Sequence, residues 1–156
     1  MLLGMPSVRR TRRWRTSLAG LVLCAFAGLG SPARAEGEGR LTVRFEGLTE
    51  TGGELMISVA NSRAVFENDY DAFLKAAIPV TGPSASVSFE GVAPGVYAVK
   101  GFHDTNGNRE LDIGWTGPEE KFGFSNDAIG FMSPPDFDDA KFRFDGGDRT
   151  IVIRAR

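Results

Sequence analysis

The chain is expected to fold as an all-β protein: a single antiparallel β-sandwich of about seven strands, with a long loop excursion between the penultimate strands. Three observations predict this. Apolar side chains alternate with polar ones in several short runs, turn signals separate most of those runs, and 12 phenylalanines in 156 residues supply enough bulk for one core without cysteine staples.

Taken in order, Leu41, Val43 and Phe45 alternate with Thr42, Arg44 and Glu46, giving one buried and one wet face. Leu55, Ile57 and Val59 follow the turn signal Thr51-Gly52-Gly53, and Ile78 and Val80 form a third run before Gly82-Pro83. Ala85, Val87 and Phe89 alternate with Ser84, Ser86 and Ser88. Gly91 to Gly95 is a turn, and Val96 to Phe102 the next strand. Phe142 and Phe144 alternate with Lys141 and Arg143, and the turn Asp145-Gly146-Gly147-Asp148 leads to Thr150–Ala155 with Ile151 and Ile153 inward.

Two segments interrupt the alternation. Ser62 to Ala76 carries Phe66, Tyr70, Phe73 and Leu74 among acids, and reads as a loop with one helical turn whose rings cap an open end of the sandwich. Residues 104–139 are rich in Gly, Pro, Asp and Asn; a connection of this length inside a compact domain is usually functional or disordered. The rings of Trp115, Phe122, Phe124, Phe131 and Phe137 argue against disorder and are expected to anchor a folded-back excursion.

Residues 1–35 read as a cleaved export signal. Arg9, Arg10, Arg12, Arg13 and Arg15 form a basic region, Leu18 to Leu29 is uncharged and apolar, and Ala33-Arg34-Ala35 has the form of a signal peptidase site. The apolar run is short for a membrane span. Residues 36–156 are then the folded domain, periplasmic or extracellular. The one cysteine, Cys24, leaves with the signal, so the mature domain has no disulfide or thiol chemistry. Six arginines leave too; 12 Lys+Arg remain against 20 Asp+Glu, a net charge of −8. An acidic domain without a basic cluster is a poor nucleic-acid or anionic-membrane binder, so neither is expected as a partner.

The segment Gly91-Val92-Ala93-Pro94-Gly95-Val96-Tyr97-Ala98-Val99 is similar to the turn-and-strand motif of transthyretin-like and carboxypeptidase regulatory-like sandwich domains. Together with Phe102-His103-Asp104-Thr105-Asn106-Gly107-Asn108, Gly123-Phe124-Ser125-Asn126 and Pro134-Pro135-Asp136-Phe137, it makes the whole mature chain resemble the bacterial exported family called domain of unknown function 2141. The resemblance implies a secreted β-sandwich without an established activity and a shared loop of the form His-Asp-x-Asn-x-Asn-x-x-x-Asp. That loop also resembles the calcium loops of B-type repeats in bacterial surface adhesins.

The loop itself places oxygen-bearing side chains at alternate positions, Asp104, Asn106 and Asn108, and returns a carboxylate at Asp112. Ca²⁺ takes six to eight oxygens in flexible geometry, so such a run can curl around one ion. Against an EF-hand loop the first, third, fifth and ninth positions match, but Arg109 stands at the sixth and Trp115 at the twelfth. The expected ligands are Asp104, Asn106, Asn108 and Asp112, with the Glu110 carbonyl as a fifth. Further donors would come from water or from Glu119, Asp127, Asp136, Asp138 or Asp139. Two certain carboxylates suit an affinity of roughly 10⁻⁴–10⁻³ M. The competing explanation is metal-free: Asn-Gly is a strong hairpin turn, and Asp and Asn form side-chain turns unaided. Alternation plus the returning Asp112 exceeds what a tight turn needs, so calcium is expected.

His103, the single histidine, has no cysteine or second histidine to complete a zinc site and is expected to close its strand and hydrogen-bond the excursion. Ser125 lacks a nucleophile-elbow pattern and reads as part of a turn. Trp115 and Tyr97 are assigned to the core. The functional expectation is an exported, monomeric, non-catalytic module for a protein or glycan of the cell envelope, stabilised by Ca²⁺. The alternatives are a carbohydrate-binding module using Trp115 or a hydrolase using His103.

Overall fold

A computed structural model of the chain describes residues 37–68 and 72–156; the expected signal and Tyr70 lie outside the described residues. Ten strands are present among them: β1 (Gly39–Glu46), β2 (Glu54–Ala60), β3 (Leu74–Pro79), β4 (Ser84–Val92), β5 (Gly95–Asp104), β6 (Ile113–Gly114), β7 (Gly117–Pro118), β8 (Phe122–Phe124), β9 (Phe142–Phe144) and β10 (Gly147–Arg154). Period-two patterning does what it predicts. Leu41, Val43 and Phe45 of β1, Leu55, Ile57 and Val59 of β2, and Ile151 and Ile153 of β10 are all buried in one core.

One sheet has the order β10-β1-β4; the other is β3-β2-β5-β8, with β9 also paired to β5, and β6-β7 is a small separate ribbon. The β-sandwich expectation holds, with two differences. First, β1 and β10 run parallel, Gly39 beside Gly147 through Glu46 beside Arg154. Parallel neighbours need a crossover, and here the crossover is the whole intervening domain, so nothing local in the sequence announces the pairing. Second, three short strands lie inside the 104–139 segment expected to be a loop, and β3 takes Leu74–Ala76 out of the other expected loop.

β8 escapes sequence reasoning because a strand of three residues centred on glycine has little β signature. Its glycine is required by packing. Gly123 sits opposite Gly101 of β5, and a Cβ at Gly123 would lie 2.6 Å from Ile153 Cγ2. A Cβ at Gly101 would lie 2.7 Å from Phe45 Cζ. The paired glycines thus make the space that the Phe45 ring fills.

A second, smaller core lies on the outer side of the larger sheet. Helix α1 (Arg63–Glu67), capped by Ser62 Oγ accepting from Val65 N–H, lays Phe66 beside Phe137 of α2 (Phe137–Ala140), ring centroids 5.8 Å apart, over Ala60 and Ala98. Asp138 bridges Arg63 of α1 and Lys141, and the Lys141 hydrogen bond, then the nearby charges, hold its carboxyl below the usual carboxylate value. Tyr97, as expected, is core; its hydroxyl donates to the Ala93 carbonyl (2.9 Å), closing the β4–β5 turn, and burial pushes its pKa up.

Candidate functional site

The 104–112 loop begins where β5 ends. Asp104 is a charged residue only 1% exposed, and its burial is tolerated because two backbone donors meet it: Gly107 N–H gives to Oδ1 (2.7 Å) and Arg109 N–H to Oδ2 (2.8 Å). Wrapping the chain this tightly takes two left-handed residues, Gly107 (φ 81°) and Arg109 (φ 64°). Asn106 Oδ1 then accepts Asn108 N–H (2.9 Å) and Asn108 Oδ1 accepts Glu110 N–H (2.8 Å), successive side-chain turns of the kind short amides form.

The amide nitrogens of the same two asparagines converge on Asp112: Asn106 Nδ2 donates to Oδ2 (2.6 Å) and Asn108 Nδ2 to Oδ1 (3.1 Å). Asn106, Asn108 and Asp112 are therefore brought together as the spacing implies. Asp104 sits at the base of the same turn with both oxygens directed at backbone. Glu110 joins the loop through its backbone N–H rather than its side chain. Among the described residues, no group of three or more His, Cys, Asp or Glu is arranged to hold a metal, so any ion here would rest on two carboxylates and the amide oxygens.

Of the further donors considered, Asp127 is committed elsewhere. Its carboxylate accepts Arg154 N–H and Nη1, both at 2.8 Å, and its carbonyl accepts Arg156 Nη2 (2.9 Å). Asp138 is taken by the helix bridge, and Asp136 and Asp139 belong to the start and body of α2. The acid that does enter the loop is Glu120, which sequence reasoning missed. It is buried, takes Thr105 N–H (2.8 Å) and Oγ1–H (3.1 Å) on Oε1, and Asp112 N–H (3.3 Å) on Oε2. The neighbouring pair Glu119-Glu120 is visible in the sequence, but which of two adjacent acids turns inward depends on the β6–β7 ribbon that precedes them. Glu119 contributes its backbone N–H to the Asp112 carbonyl (2.9 Å).

Three expectations about single residues need correction or refinement. Trp115 is not core: it sits at the tip of the β6–β7 ribbon, fully exposed at 106%, with no described element packed over it. Phe131 (91%) is likewise exposed, so the excursion is anchored instead by Phe137, buried, and by Phe122 and Phe124, half-buried. The His103 ring is buried and Nε2–H donates to the Gly52 carbonyl (2.6 Å), so the ring ties β5 to the β1–β2 turn; its backbone N–H, to Lys121 O (2.7 Å), is what reaches the excursion. Ser125 is a turn residue as expected, enclosed by backbone: it accepts Val99 N–H (2.8 Å) and donates to Ala140 O (2.5 Å).

Arg109 carries a testable cost. An exposed non-glycine residue in the left-handed region is strained, whereas glycine adopts it freely. Arg109→Gly is expected to stabilise the protein by about 0.5–1 kcal/mol, read as a rise of a few degrees in the unfolding midpoint. A fall instead would show that the arginine side chain holds the loop.

Fold and loop together define a β-sandwich module with an Asp/Asn-rich turn at one strand end. More specifically, the chain belongs to the family described as uncharacterized protein conserved in bacteria (DUF2141), whose model matches residues 43–152. That span includes every residue of the loop. No curated protein and no solved structure matches the chain.

Proposed function

We propose that the protein is an exported, non-catalytic binding module of the bacterial cell envelope, with Ca²⁺ held at the 104–112 loop. The observation that carries the reading is the convergence of Asn106 and Asn108 on the Asp112 carboxylate above the Asp104 turn. The donors are hard oxygens, the class that suits Ca²⁺ and excludes thiophilic metals. Amide N–H groups hydrogen-bond Asp112; a cation would take their place, the Asn106 and Asn108 oxygens turning toward it with Asp104 and the Glu110 carbonyl beside them. The ion's contribution would be conformational, fixing the turn between β5 and the β6–β7 ribbon. The module acts after export, as a monomer, on a protein or glycan partner.

The test is thermal unfolding after chelation, with Ca²⁺ or Mg²⁺ added back. At about 100 times its dissociation constant, Ca²⁺ should stabilise by roughly 2.7 kcal/mol, a midpoint shift of about 10 °C. Asp112→Ala should abolish that shift. A flat titration carried to about 100 mM Ca²⁺, 100 times the weaker expected dissociation constant, or equal shifts with Mg²⁺ and in the variant, would remove calcium from the reading.

The exposure of Trp115 favours a second reading, a carbohydrate-binding module that stacks this ring on a sugar. Trp14 lies in the expected signal, so Trp115 is the sole tryptophan of the mature chain and a direct fluorescent reporter. Saturable quenching by envelope polysaccharides would support it; an unchanged spectrum would end it. The hydrolase reading has less support, since the His103 ring is already bonded to Gly52.

A further inference from the structure

Asn106-Gly107 is the one Asn-Gly pair of the chain, and this pair has a chemistry that needs no ligand. The amide carbon of an asparagine lies within ring-closing reach of the next residue's backbone nitrogen. Gly107 N can therefore attack Asn106 Cγ and close a succinimide. Glycine obstructs that closure least, because it has no Cβ and reaches backbone conformations closed to other residues. Both residues are exposed here, and Gly107 stands at φ 81°. A Cβ built on Gly107 would meet nothing within 4 Å, so no neighbour packs over the site and water reaches it.

The step balances within the chain and one water molecule. Gly107 N gives up its proton and bonds to Asn106 Cγ. The Cγ–Nδ2 bond breaks, and Nδ2 leaves with that proton as ammonia. Water then opens the ring at either carbonyl, leaving aspartate or isoaspartate at 106. Nothing is oxidised or reduced.

The fold sets the rate. Gly107 N–H donates to Asp104 Oδ1 (2.7 Å) and Asn106 Nδ2 to Asp112 Oδ2 (2.6 Å), so nucleophile and leaving group are each tied to a carboxylate. Asn106 Oδ1 is held as well, accepting Asn108 N–H (2.9 Å). The attacking form of Gly107 N is an anion, and neighbouring carboxylates disfavour it because they carry the same sign of charge. Attack also requires Gly107 N to let go of Asp104. The reaction therefore runs through local openings of the loop, which exposed turns reach at far less cost than global unfolding. Asn126 is the contrast: its Nδ2 donates to the carbonyls of Asp139 (3.0 Å) and Lys141 (2.8 Å), and Asp127 rather than glycine follows it.

The product alters the loop at one contact. An oxygen takes the place of the Asn106 N–H₂ that meets Asp112 Oδ2, so a hydrogen bond becomes a meeting of like charges.

We propose that Asn106 is a self-modification site: the folded protein deamidates there slowly, at a rate held down by Asp104 and Asp112, and the new carboxylate loosens the turn. The proposal goes beyond the calcium reading and does not depend on it.

The test is incubation of the purified protein in mildly alkaline buffer with chelator, folded and in urea, followed by peptide mass mapping and an isoaspartate-specific methyltransferase assay. The mass change of an amide turned to an acid should accumulate at Asn106 and not at Asn126 in the folded protein, at least about tenfold more slowly than at Asn106 in urea. Asp104→Asn removes the charge beside Gly107 and keeps the side chain's shape; it should speed the folded reaction at least about fivefold, within the worth of one charge-assisted hydrogen bond. Should that variant melt early, Asp112→Asn must still speed it. Asn106→Asp, which is one of the two products, should lower the unfolding midpoint in chelator by a few degrees. Product at Asn106 in urea but none in the folded protein, equal rates in the two, a rate indifferent to both carboxylate variants, or an Asn106→Asp midpoint no lower than that of the wild type would overturn the proposal. Because chelator is present throughout, these outcomes hold whichever way the calcium titration falls.

Discussion

Phe45→Ala is expected to cost about 3–5 kcal/mol, near the upper end for a core aromatic, and to lower the unfolding midpoint by about 10–20 °C. The reason lies in what surrounds the ring. Large-to-small substitutions cost least where neighbours can collapse into the space. Around Phe45 two of the neighbours are Gly101 and Gly123, which have no side chain to move, and both lie in paired strands whose backbone is fixed by cross-strand hydrogen bonds. The cavity should therefore persist. Urea unfolding read by circular dichroism checks it: the midpoint should drop with the slope unchanged, and a loss below about 1.5 kcal/mol would show that the glycine pair closes up. Phe89, half-buried on β4 opposite Leu41, is the contrast; its truncation should cost clearly less.

The same glycines explain where the sequence was readable and where it was not. β1, β2 and β10 have one face on the core and one in water, so burial writes a period of two into them, and Leu41, Leu55 and Ile151 can be placed from alternation alone. β8 is chosen by its partners: Gly123 is there because Ile153 and Phe45 leave no room for a Cβ, a constraint that arises only after the sheets meet. The parallel β1–β10 pair is likewise a property of the assembled domain. At the loop, Asn106 and Asn108 meet Asp112 through their amide nitrogens, contacts between residues four to six apart that follow from local turn geometry. Glu120 and the exposure of Trp115 did not follow, because each depends on which way the β6–β7 ribbon projects, and two-residue strands carry no pattern that reports direction.

Asp104→Ala should separate a turn that stands on its own from one that an ion completes. Removing the buried carboxylate leaves the Gly107 and Arg109 N–H groups without their acceptor, and one of the two bonds closes the left-handed turn at Arg109. Two part-buried donors left without their acceptor and a lost charge-assisted network place the expected loss at about 1–3 kcal/mol. Asp104→Asn keeps one acceptor oxygen but sets an amide N–H₂ against a backbone donor, so about half of that loss is expected. The informative comparison is the Asp104→Ala loss measured in chelator against the loss in saturating Ca²⁺. If the carboxylate serves only the backbone, the two losses are equal, since any ion then adds the same amount to wild type and variant. If Asp104 is also a ligand, the loss in Ca²⁺ exceeds that in chelator by the binding contribution, about 2.7 kcal/mol at 100 times the dissociation constant. Carboxylate oxygens have lone pairs enough for both duties, so a backbone cradle and an ion site are compatible at the same residue. A positive difference would make Asp104 a ligand as well as a backbone acceptor, and equal losses would leave it as the hydrogen-bonded keystone of the turn with no part in holding an ion.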